Sequence, residues 1–478
     1  MVMEVNGKHD GDLVRLKCSV KEYDWGRIGL DSLVARLFLR NCNDKIEESK
    51  HYAEFWMGTH ASGPSFVVEE KGIGNVSLKS WISKNPEVLG DTVVDKWGID
   101  LPFMFKVLSV AQALSIQAHP DKELAGLLHT LKSNVYKDAN HKPEMVLALT
   151  EFEALCGFVS FEELEAVLES VPEIMEVVGG AYADEVLSVN EQDKEAKETQ
   201  FLQSIFIKLM SAGSKVVSVA VSKLINRLNK ENKTRQLTSK EELALKLEKQ
   251  YPDDIGVIAS FLFNHVRLNP GEALYVASNE IHAYVGGECV ECMATSDNVV
   301  RAGLTPKNRD VKILCSMLTY KQGPPEILKG VPMNAYTKRY NPPFEEFEVD
   351  RCMLDQGASV VFPAVPGPSI FLVLSGQGSM YTSVSLPSSS SSSLSSQSSS
   401  LFSSPSSSTS LSSLSSSSLS SSSSSPSSSP SSSPYEDPVH GGDVLFVPAN
   451  TEVHVCTESE LHLYRAGVNH MMFSKTSI

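Results

Sequence analysis

The sequence lacks any apolar run long enough to cross a bilayer. Its 478 residues contain no stretch of about 18 consecutive apolar residues, the shortest that reads as a spanning helix. The first residues, MVMEVNGKHDGDL, also lack the basic segment followed by an apolar segment that marks a signal peptide. We therefore expect a cytoplasmic protein with no membrane partner.

Cysteine is also scarce. The chain has 8 cysteines, and their scatter favours free thiols in a reducing compartment over a disulfide framework. Cys289 and Cys292 form a lone CxxC. Without a second such pair this motif is weak evidence for a metal or redox site.

Blocks of positive charge are missing. The formal net charge is −16 and no long run of Lys or Arg occurs, so we expect no nucleic-acid partner. A chain this acidic repels an anionic substrate at long range. If the substrate is a phosphate ester, local cations must hold it.

One segment, 383–434, consists almost entirely of serine with a few Leu and Pro. Such a composition cannot bury enough apolar surface to offset its chain entropy, so we predict a disordered surface loop. Strand-like segments lie on both sides, at Ile370–Leu374 and Val444–Val447. An inert insertion is the favoured interpretation because loop closure becomes costlier only slowly with length. A multisite phosphorylation region is the alternative.

The spacing of apolar residues divides the chain into a β region, a helical region and a second β region. From about Phe161 to Phe263 apolar residues recur at helical spacing, and Ser239 and Glu242 are spaced like a capping box. Short apolar runs separated by Gly and Pro flank this region and indicate a sandwich or barrel. The sequence therefore predicts a mainly β protein with an inserted α-helical domain.

A faint internal repeat indicates two related barrels. Gly271–Asn279, followed by His282, resembles Gly442–Asn450, followed by His454, with one extra residue before the second histidine. A glycine–acid turn, an apolar strand, a second turn and a histidine are typical of a cupin-type jelly-roll hairpin. We expect two cupin-like jelly-roll β domains plus the helical domain. The predicted boundaries are 1–157 and 263–325 for the first β domain, 158–262 for the helical insertion and 326–478 for the C-terminal β domain.

Gln117 and His119 form the first candidate constellation. They are two positions apart, so on a strand their side chains share one face. Pro120 ends that strand, and Asp121 fits a helix N-cap. Taken alone, the segment fits an exposed strand-end histidine better than a metal ligand.

Glu144 belongs to a second constellation, and His282 to a third. Glu144 follows Pro143 at the start of an apolar strand, with His141 and Lys142 beside it as proton-transfer or phosphate-binding groups. Alone, this segment fits a solvated polar turn. Two His, one Glu and one neutral Gln together form a mixed nitrogen and oxygen donor set, which suits an open catalytic zinc site.

The fourth constellation lies between Glu291 and Lys307. Glu291 is a candidate acid or base, and Arg301 and Lys307 are candidate anion contacts. The guanidinium fork of an arginine suits a phosphate or an enediolate oxygen. The alternative for Arg301 is a surface ion pair.

Together these segments resemble the type I phosphomannose isomerase family of the cupin superfamily. The resemblance covers nearly the whole chain except the serine tract. It is carried by the ordered motifs Tyr23–Gly26, Ala53–Gly58, Gln117–Lys122, His141–Glu144, His282–Tyr284, Ser296–Pro306 and Tyr340 with Pro342 and Pro343.

The resemblance implies an enzyme that interconverts mannose 6-phosphate and fructose 6-phosphate in the cytosol and supports GDP-mannose supply. It implies one zinc ion per chain, and a monomer is expected. The implied zinc ligands are Gln117, His119, Glu144 and His282. The implied catalytic candidates are Arg301, Glu291, Lys142, His141 and Asp297, among which the base stays open. The expected substrate contacts are Ser115, Lys106, Tyr284, Lys307 and Trp25.

Such an isomerisation moves a proton between C1 and C2 of the sugar through an enediolate. It needs a base, an acid and stabilisation of the developing charge, to which zinc and Arg301 would contribute. A hydride shift is a formal alternative. Two other classes compete: a double-cupin protein that binds without turnover, and an iron-dependent cupin oxygenase. An oxygenase favours two His and one carboxylate, and Gln117 as a fourth ligand argues against it.

Overall fold

A computed structural model describes residues 13–69, 72–179, 194–382 and 437–474. The predicted disordered loop at 383–434 lies outside the described residues. It connects two strands that pair with each other, since Met380 lies opposite Asp437 in an antiparallel register.

The described residues form 25 β-strands. They are β1 Val14–Lys17, β2 Ser19–Lys21, β3 Arg27–Ile28, β4 His51–Tyr52, β5 Glu54–Met57, β6 Phe66–Glu69, β7 Gly72–Ser77, β8 Phe103–Val110, β9 Ile116–Ala118, β10 Glu144–Ala148, β11 Phe152–Phe158, β12 Phe263–Leu268 and β13 Ala273–Val276. After these come β14 His282–Ala294, β15 Val300–Gly303, β16 Ile327–Leu328, β17 Val331–Pro332, β18 Thr337–Tyr340, β19 Glu348–Leu354, β20 Ser359–Phe362, β21 Ser369–Thr382, β22 Asp437–His440, β23 Val444–Val447, β24 Val453–Cys456 and β25 Leu461–Gly467.

The helices concentrate in the middle of the chain. They are α1 Leu33–Cys42, α2 Leu78–Lys84, α3 Asp91–Trp97, α4 Lys122–Lys132, α5 Phe161–Ser170, α6 Pro172–Val178, α7 Lys194–Ser211, α8 Ser214–Glu231, α9 Ser239–Gln250, α10 Ile255–Ala259, α11 Val311–Met317 and α12 His470–Ser474. Short 3-10 turns occur at Gly29–Asp31, Pro86–Leu89 and Ser260–Leu262.

The first barrel is built on an 11-stranded sheet. Its main path is β16-β13-β10-β14-β8-β5-β2, and β9, β11, β12 and β15 extend it through β14. Strand β8 is buried at every position. Leu108 and Val110 pack within this barrel's cluster, whereas Phe103, Phe105 and Val107 pack in the cluster shared with the C-terminal unit. A strand covered on both faces needs apolar residues on both, which explains why the positions of β8 other than Lys106 and Ser109 are apolar.

The second barrel uses a 12-stranded sheet that includes N-terminal strands. Its main path is β17-β18-β19-β25-β21-β23-β1-β6-β7, and β20, β22 and β24 extend it through β21. Strand β1 lies antiparallel to β23, with Val14 opposite Phe446. Strand β1 is therefore hydrogen-bonded into the sheet of the C-terminal unit. The domain boundaries given above stay a prediction, but this pairing connects the two ends of the chain.

The helical insertion packs behind the strands that carry candidate site residues. Leu202, Phe206 and Leu224 belong to one buried cluster with Ile116 and Val300, from strands β9 and β15. Helix α9 begins with a capping box between Thr238 and Glu241, one residue before the predicted pair Ser239 and Glu242. The helix therefore begins one residue earlier than the predicted capping box implied, and a helix is found in this region as predicted.

No single helix among the described ranges is long and apolar enough to cross a membrane. One sharply bent pair, α7 with α8, passes the same test by length and composition. None of the 8 cysteines, including Cys289 and Cys292, forms a disulfide.

The two predicted hairpin repeats adopt the same backbone conformation. Gly271 and Gly442 have φ of +88° and +103°, and Asn279 and Asn450 have φ of +63° and +60°. These left-handed positions favour Gly and Asn, which explains why the pattern is visible in the sequence. The predicted fold class, a mainly β protein with a helical insertion, is confirmed.

Candidate metal centre and active site

Three strands, β9, β10 and β14, bring the predicted ligands together. Gln117 lies at the middle of β9, directly opposite His282 at the start of β14. His119 follows β9, and its position is fixed by Asp121, whose side chain accepts from the Leu124 N–H and caps α4 as predicted. Glu144 is the first residue of β10. Strand ends from different parts of the chain thus converge at one edge of the first barrel.

His119, Glu144 and His282 form a buried group with the geometry of a metal site. Their potential ligand atoms all lie within 4.8 Å of one another. Nε2 of His119 is 3.1 Å from Oε1 of Glu144, and Nε2 of His282 is 3.6 Å from Oε2. Neither Nε2 has a hydrogen-bond partner although both are buried. Two unsatisfied buried nitrogens beside one carboxylate are costly without a ligand, so the residues fit a metal ion.

The other ring nitrogen of each histidine is held by a backbone carbonyl. His119 Nδ1 is 2.7 Å from the Asn298 carbonyl oxygen, and His282 Nδ1 is 3.1 Å from that of Glu280. This contact keeps the proton on Nδ1 and leaves Nε2 free to bind a metal. Burial, and then the charge of Lys142, lowers the pKa of His119 to about 4. The ring is therefore neutral, as a ligand must be.

Glu144 is held as a carboxylate. Burial raises its pKa, but Lys142 and His119 overcome this effect and keep the pKa well below the usual range. Lys142 Nζ lies 3.0 Å from Oε1, and the Tyr284 hydroxyl donates to Oε2 at 2.9 Å. Two imidazoles, a carboxylate and a neighbouring amide oxygen suit zinc. Gln117 is buried beside this group, and its role as a fourth ligand stays a prediction.

A cavity of about 540 Å³ opens next to this group. It is lined by most of the residues predicted from the sequence: Trp25, Lys106, Ser115, Gln117, Lys142, Glu144, Tyr284, Glu291, Asp297, Arg301 and Lys307. His141 does not line it, because its Nε2 is bonded to Glu346 Oε1 at 2.7 Å. In an extended segment neighbouring side chains point to opposite sides, so Lys142 faces the cavity and His141 faces the C-terminal unit.

Lys106 and Glu291 form a buried pair in the wall of the cavity. Lys106 Nζ is 2.8 Å from Glu291 and 3.5 Å from Glu54. Burial lowers the pKa of Lys106, but the two carboxylates more than reverse this and raise it. Burial raises the pKa of Glu291, against the opposing charge of Lys106. A carboxyl whose pKa is raised next to a cation is suited to proton transfer.

Arg301 faces the cavity with its guanidinium free. It lies opposite Gln117 in the β9–β15 register. The Arg301 guanidinium has no hydrogen bond or ion pair to any described residue, and burial lowers its pKa. The predicted alternative of a surface ion pair is therefore not what the structure shows. The donors of Arg301 are available to an anionic ligand.

Some residues at this site carry no role in the sequence-based predictions. Glu54 and Trp56 line the cavity within the Ala53–Gly58 motif, and the Trp56 indole N–H donates to Glu54 at 2.5 Å. His60 contacts Asp297 from the loop after β5. The motif signals that this segment matters. Only the packing of β5 beside β8 reveals which side chains meet the cavity.

Comparisons with known proteins agree with this geometry. Residues 13–161 match the model of the phosphomannose isomerase type I catalytic domain, and residues 177–263 match that of its helical insertion domain. Mannose-6-phosphate isomerase 1 of Arabidopsis thaliana is 52% identical over 471 residues, covering 98% of this chain and 97% of the relative. The chain belongs to the type I phosphomannose isomerase family. The predicted family and enzyme class are confirmed.

A more distant relative matches in sequence, and a solved structure matches in fold. Mannose-6-phosphate isomerase of Candida albicans is 40% identical over 394 residues, covering 77% of this chain and 88% of the relative. A crystal structure of zinc-bound mannose 6-phosphate isomerase is 25% identical, with a TM-score of 0.70, covering 96% of this chain and 99% of that one. The predicted cofactor, Zn²⁺, is thus supported by a zinc-bound family member and by the His119, Glu144 and His282 donors.

Proposed function

We propose that this phosphomannose isomerase family member interconverts mannose 6-phosphate and fructose 6-phosphate with one zinc ion per chain. The observation that carries the proposal is the juxtaposition of a buried His–Glu–His group with a cavity that is also lined by Arg301 and Lys307. Lys106 and Lys142 line it too, but they are paired with buried carboxylates. Arg301 and Lys307 have no ion-pair partner among the described residues, so their charge is available to an anionic substrate.

The reaction requires a proton to leave the carbon next to a carbonyl. When bound, the zinc ion supplies Lewis-acid polarisation of substrate oxygens. Glu291, with its raised pKa and its contact to Lys106, is placed to exchange a proton with the substrate. Asp297 lines the same cavity, and its pKa is lowered, so it is a carboxylate at neutral pH. These two carboxyls and Lys142 are the proposed proton-transfer groups.

Charge that develops on the enediolate needs a donor that is not already paired. Arg301 meets that need, because its guanidinium has no partner among the described side chains. Lys307 is exposed at the rim, which suits a phosphate anchor. Ser115, Trp25 and Tyr284 complete the proposed substrate contacts. We further propose that the enzyme is a cytoplasmic monomer that supports GDP-mannose supply.

The decisive experiment is a coupled assay for fructose 6-phosphate formed from mannose 6-phosphate. We expect turnover in the zinc-loaded protein, loss on treatment with a chelator and recovery on adding Zn²⁺, with metal content measured in parallel. Full activity in metal-free protein would contradict the zinc proposal. Sugar-phosphate binding without turnover would favour the binding-module alternative, and oxygen consumption with Fe²⁺ would favour the oxygenase. Gel filtration tests the monomer.

A further inference from the structure

His60 lies behind the cavity wall and contacts one of its carboxylates. Nε2 of His60 is 3.3 Å from Oδ2 of Asp297. The His60 side chain is 11% exposed, whereas that of Asp297 is 44% exposed. The contact therefore joins a largely enclosed imidazole to a carboxylate that opens toward the substrate space. No sequence-based role was assigned to His60.

The loop that carries His60 determines which ring nitrogen holds the proton. The backbone N–H of Ser62 donates to Nδ1 of His60 at 3.2 Å. A ring nitrogen that accepts a hydrogen bond carries no proton, so the neutral imidazole has its proton on Nε2. Nε2 is the atom that faces Asp297. The imidazole is thus oriented to donate to the carboxylate.

The backbone of Asp297 is held separately from its side chain. Its N–H donates to Asp138 Oδ2 at 2.8 Å. The carboxylate itself contacts His60, while the ring of His60 packs edge-on against Trp56 with centroids 5.3 Å apart. Removing His60 would therefore free the Asp297 side chain without releasing its backbone.

We propose that His60 is a positioning residue that orients the Asp297 carboxylate toward the substrate and keeps it ionised. The inference rests on the proposed isomerase function. It assigns to His60 no contact with the substrate, because His60 does not line the cavity. It explains why an enclosed imidazole with a fixed proton stands behind an otherwise exposed carboxylate.

The electrostatics of Asp297 agree with this role. The hydrogen bond from His60 is the largest effect on the pKa of Asp297 and lowers it, and partial burial opposes it. Lys142 and Lys106 face the same carboxylate and lower its pKa further. The charge of Asp297 also acts on the Tyr23 hydroxyl, and the carboxylate of Asp138 lies against the Asp297 backbone N–H.

The test is the pH profile of kcat/KM for His60→Ala and His60→Gln in the zinc-loaded, full-length protein. In His60→Ala we expect kcat/KM to fall by on the order of tenfold, mainly through kcat. Loss of the donor raises the pKa of Asp297, so the acid limb of the profile should move upward by about one pH unit. His60→Gln keeps an N–H donor and should restore most of the rate and of the acid limb.

Controls separate positioning from general structural damage. His129→Gln, on α4, changes a histidine that bonds to the Tyr136 carbonyl, and it should leave the profile unchanged. Zinc content and Tm are measured for every variant. If His60→Ala is unfolded, His60→Leu replaces it, because leucine fills the space beside Trp56 without a donor.

A double mutant decides whether His60 acts through Asp297. In the background of Asp297→Asn, adding His60→Ala should lower kcat/KM by less than about twofold, because the group it positions is already gone. Multiplicative losses, an acid limb that does not move, or full activity of Asp297→Asn would each overturn the inference. Absence of isomerase activity in the parent would instead overturn the proposed function.

Discussion

Each of the two barrels contains its own copy of one hairpin pattern. Of the two copies, the one in the first barrel is followed by a candidate metal ligand, His282. Counted from Gly271 and Gly442, the position of His282 in the first barrel corresponds to Val453 in the second. Val453 is buried, and His454 comes one residue later. Because side chains alternate along a strand, a shift of one residue moves a side chain to the opposite face.

The displaced histidine in the second barrel has ordinary partners. His454 stacks on Tyr381 with centroids 5.0 Å apart and contacts Glu452 at 2.9 Å. Within the described ranges, the one group of His, Cys, Asp and Glu side chains with metal-site geometry lies in the first barrel. The comparison shows what a shift of one residue does. His282 in β14 faces the candidate metal group, whereas His454 in β24 lies one residue later in the repeat and contacts Tyr381 and Glu452.

The sharpest test of this comparison replaces His282 and His454 with alanine in two separate variants. His282→Ala should lose bound zinc and reduce turnover below about one thousandth of the parent, since it removes a buried donor. His454→Ala should keep both zinc and turnover, because its partners lie outside the metal group. Metal analysis and the coupled assay measure both outcomes. Equal losses in the two variants would break the comparison.

Arginines in the two barrels also differ in their partners, and this predicts a smaller effect. Arg301→Ala should lower kcat by on the order of a hundredfold with little change in stability, because its guanidinium is unpaired among the described residues. Steady-state kinetics separate kcat from KM. If only KM rises, Arg301 is a phosphate anchor and does not act on the transition state.

Arg465 is the matched control in the second barrel. Its guanidinium contacts Glu348 at 3.1 Å, Asp350 at 2.9 Å and Ser369 at 2.9 Å, all buried. Arg465→Met leaves two buried carboxylates short of a partner and should lower the free energy of unfolding by about 3–5 kcal/mol. Its kcat per folded, zinc-loaded molecule should match the parent. A loss of kcat without a loss of stability would show that the second barrel also serves the reaction.

A pH titration tests a property that the two barrels share, namely a buried histidine whose pKa is lowered. Burial lowers the pKa of both His119 and His462 from 6.5 to about 4, with Lys142 and Arg351 as the next causes. Between pH 6.5 and about 4, these two histidines bind protons in the unfolded chain but stay neutral in the folded chain. The stability of the metal-free protein should therefore fall as pH drops from about 6.5 to about 4, by about 3 kcal/mol per histidine.

The variant His462→Gln should remove one half of that dependence. Denaturant unfolding across this pH range measures it, with His440→Gln, an exposed histidine, as the control. An unchanged pH dependence in His462→Gln would mean that His462 is charged in the folded protein.

The sequence allows the local elements of this fold to be predicted better than their partners. Val444–Val447 was predicted with the observed bounds, because a short apolar run with turn residues beside it is a local signal. The strand-like segment Ile370–Leu374 is part of β21, which continues to Thr382. The later residues of β21 pair with β22 and β24, and the length of the strand therefore depends on tertiary neighbours.

The candidate site shows the same division. Taken alone, the segments that carry His119 and Glu144 did not predict metal ligands, and the prediction came from the ordered set of motifs and its resemblance to a known family. The contact of His141 with Glu346, and that of His60 with Asp297, join segments far apart in the chain. Neither follows from spacing, because each depends on how the two sheets and their loops pack.

The smallest effect is expected from shortening the serine tract. The tract belongs to the second barrel, so this change tests whether a connection there affects the site in the first barrel. The tract connects β21 to β22, and these two flanking strands are already paired, since Met380 lies opposite Asp437. Replacing 385–433 with a short Gly/Ser turn should therefore leave zinc content and turnover nearly unchanged. The free-energy cost of closing the loop changes by only roughly 0.6 kcal/mol for each doubling of length, so Tm should hold or rise slightly.

Limited proteolysis of the intact protein should cut first within the tract and leave the flanking units whole. The matched control is a scrambled tract of equal length and composition. A deletion variant that folds and binds zinc but loses most of its turnover would show that this connection in the second barrel affects the site in the first.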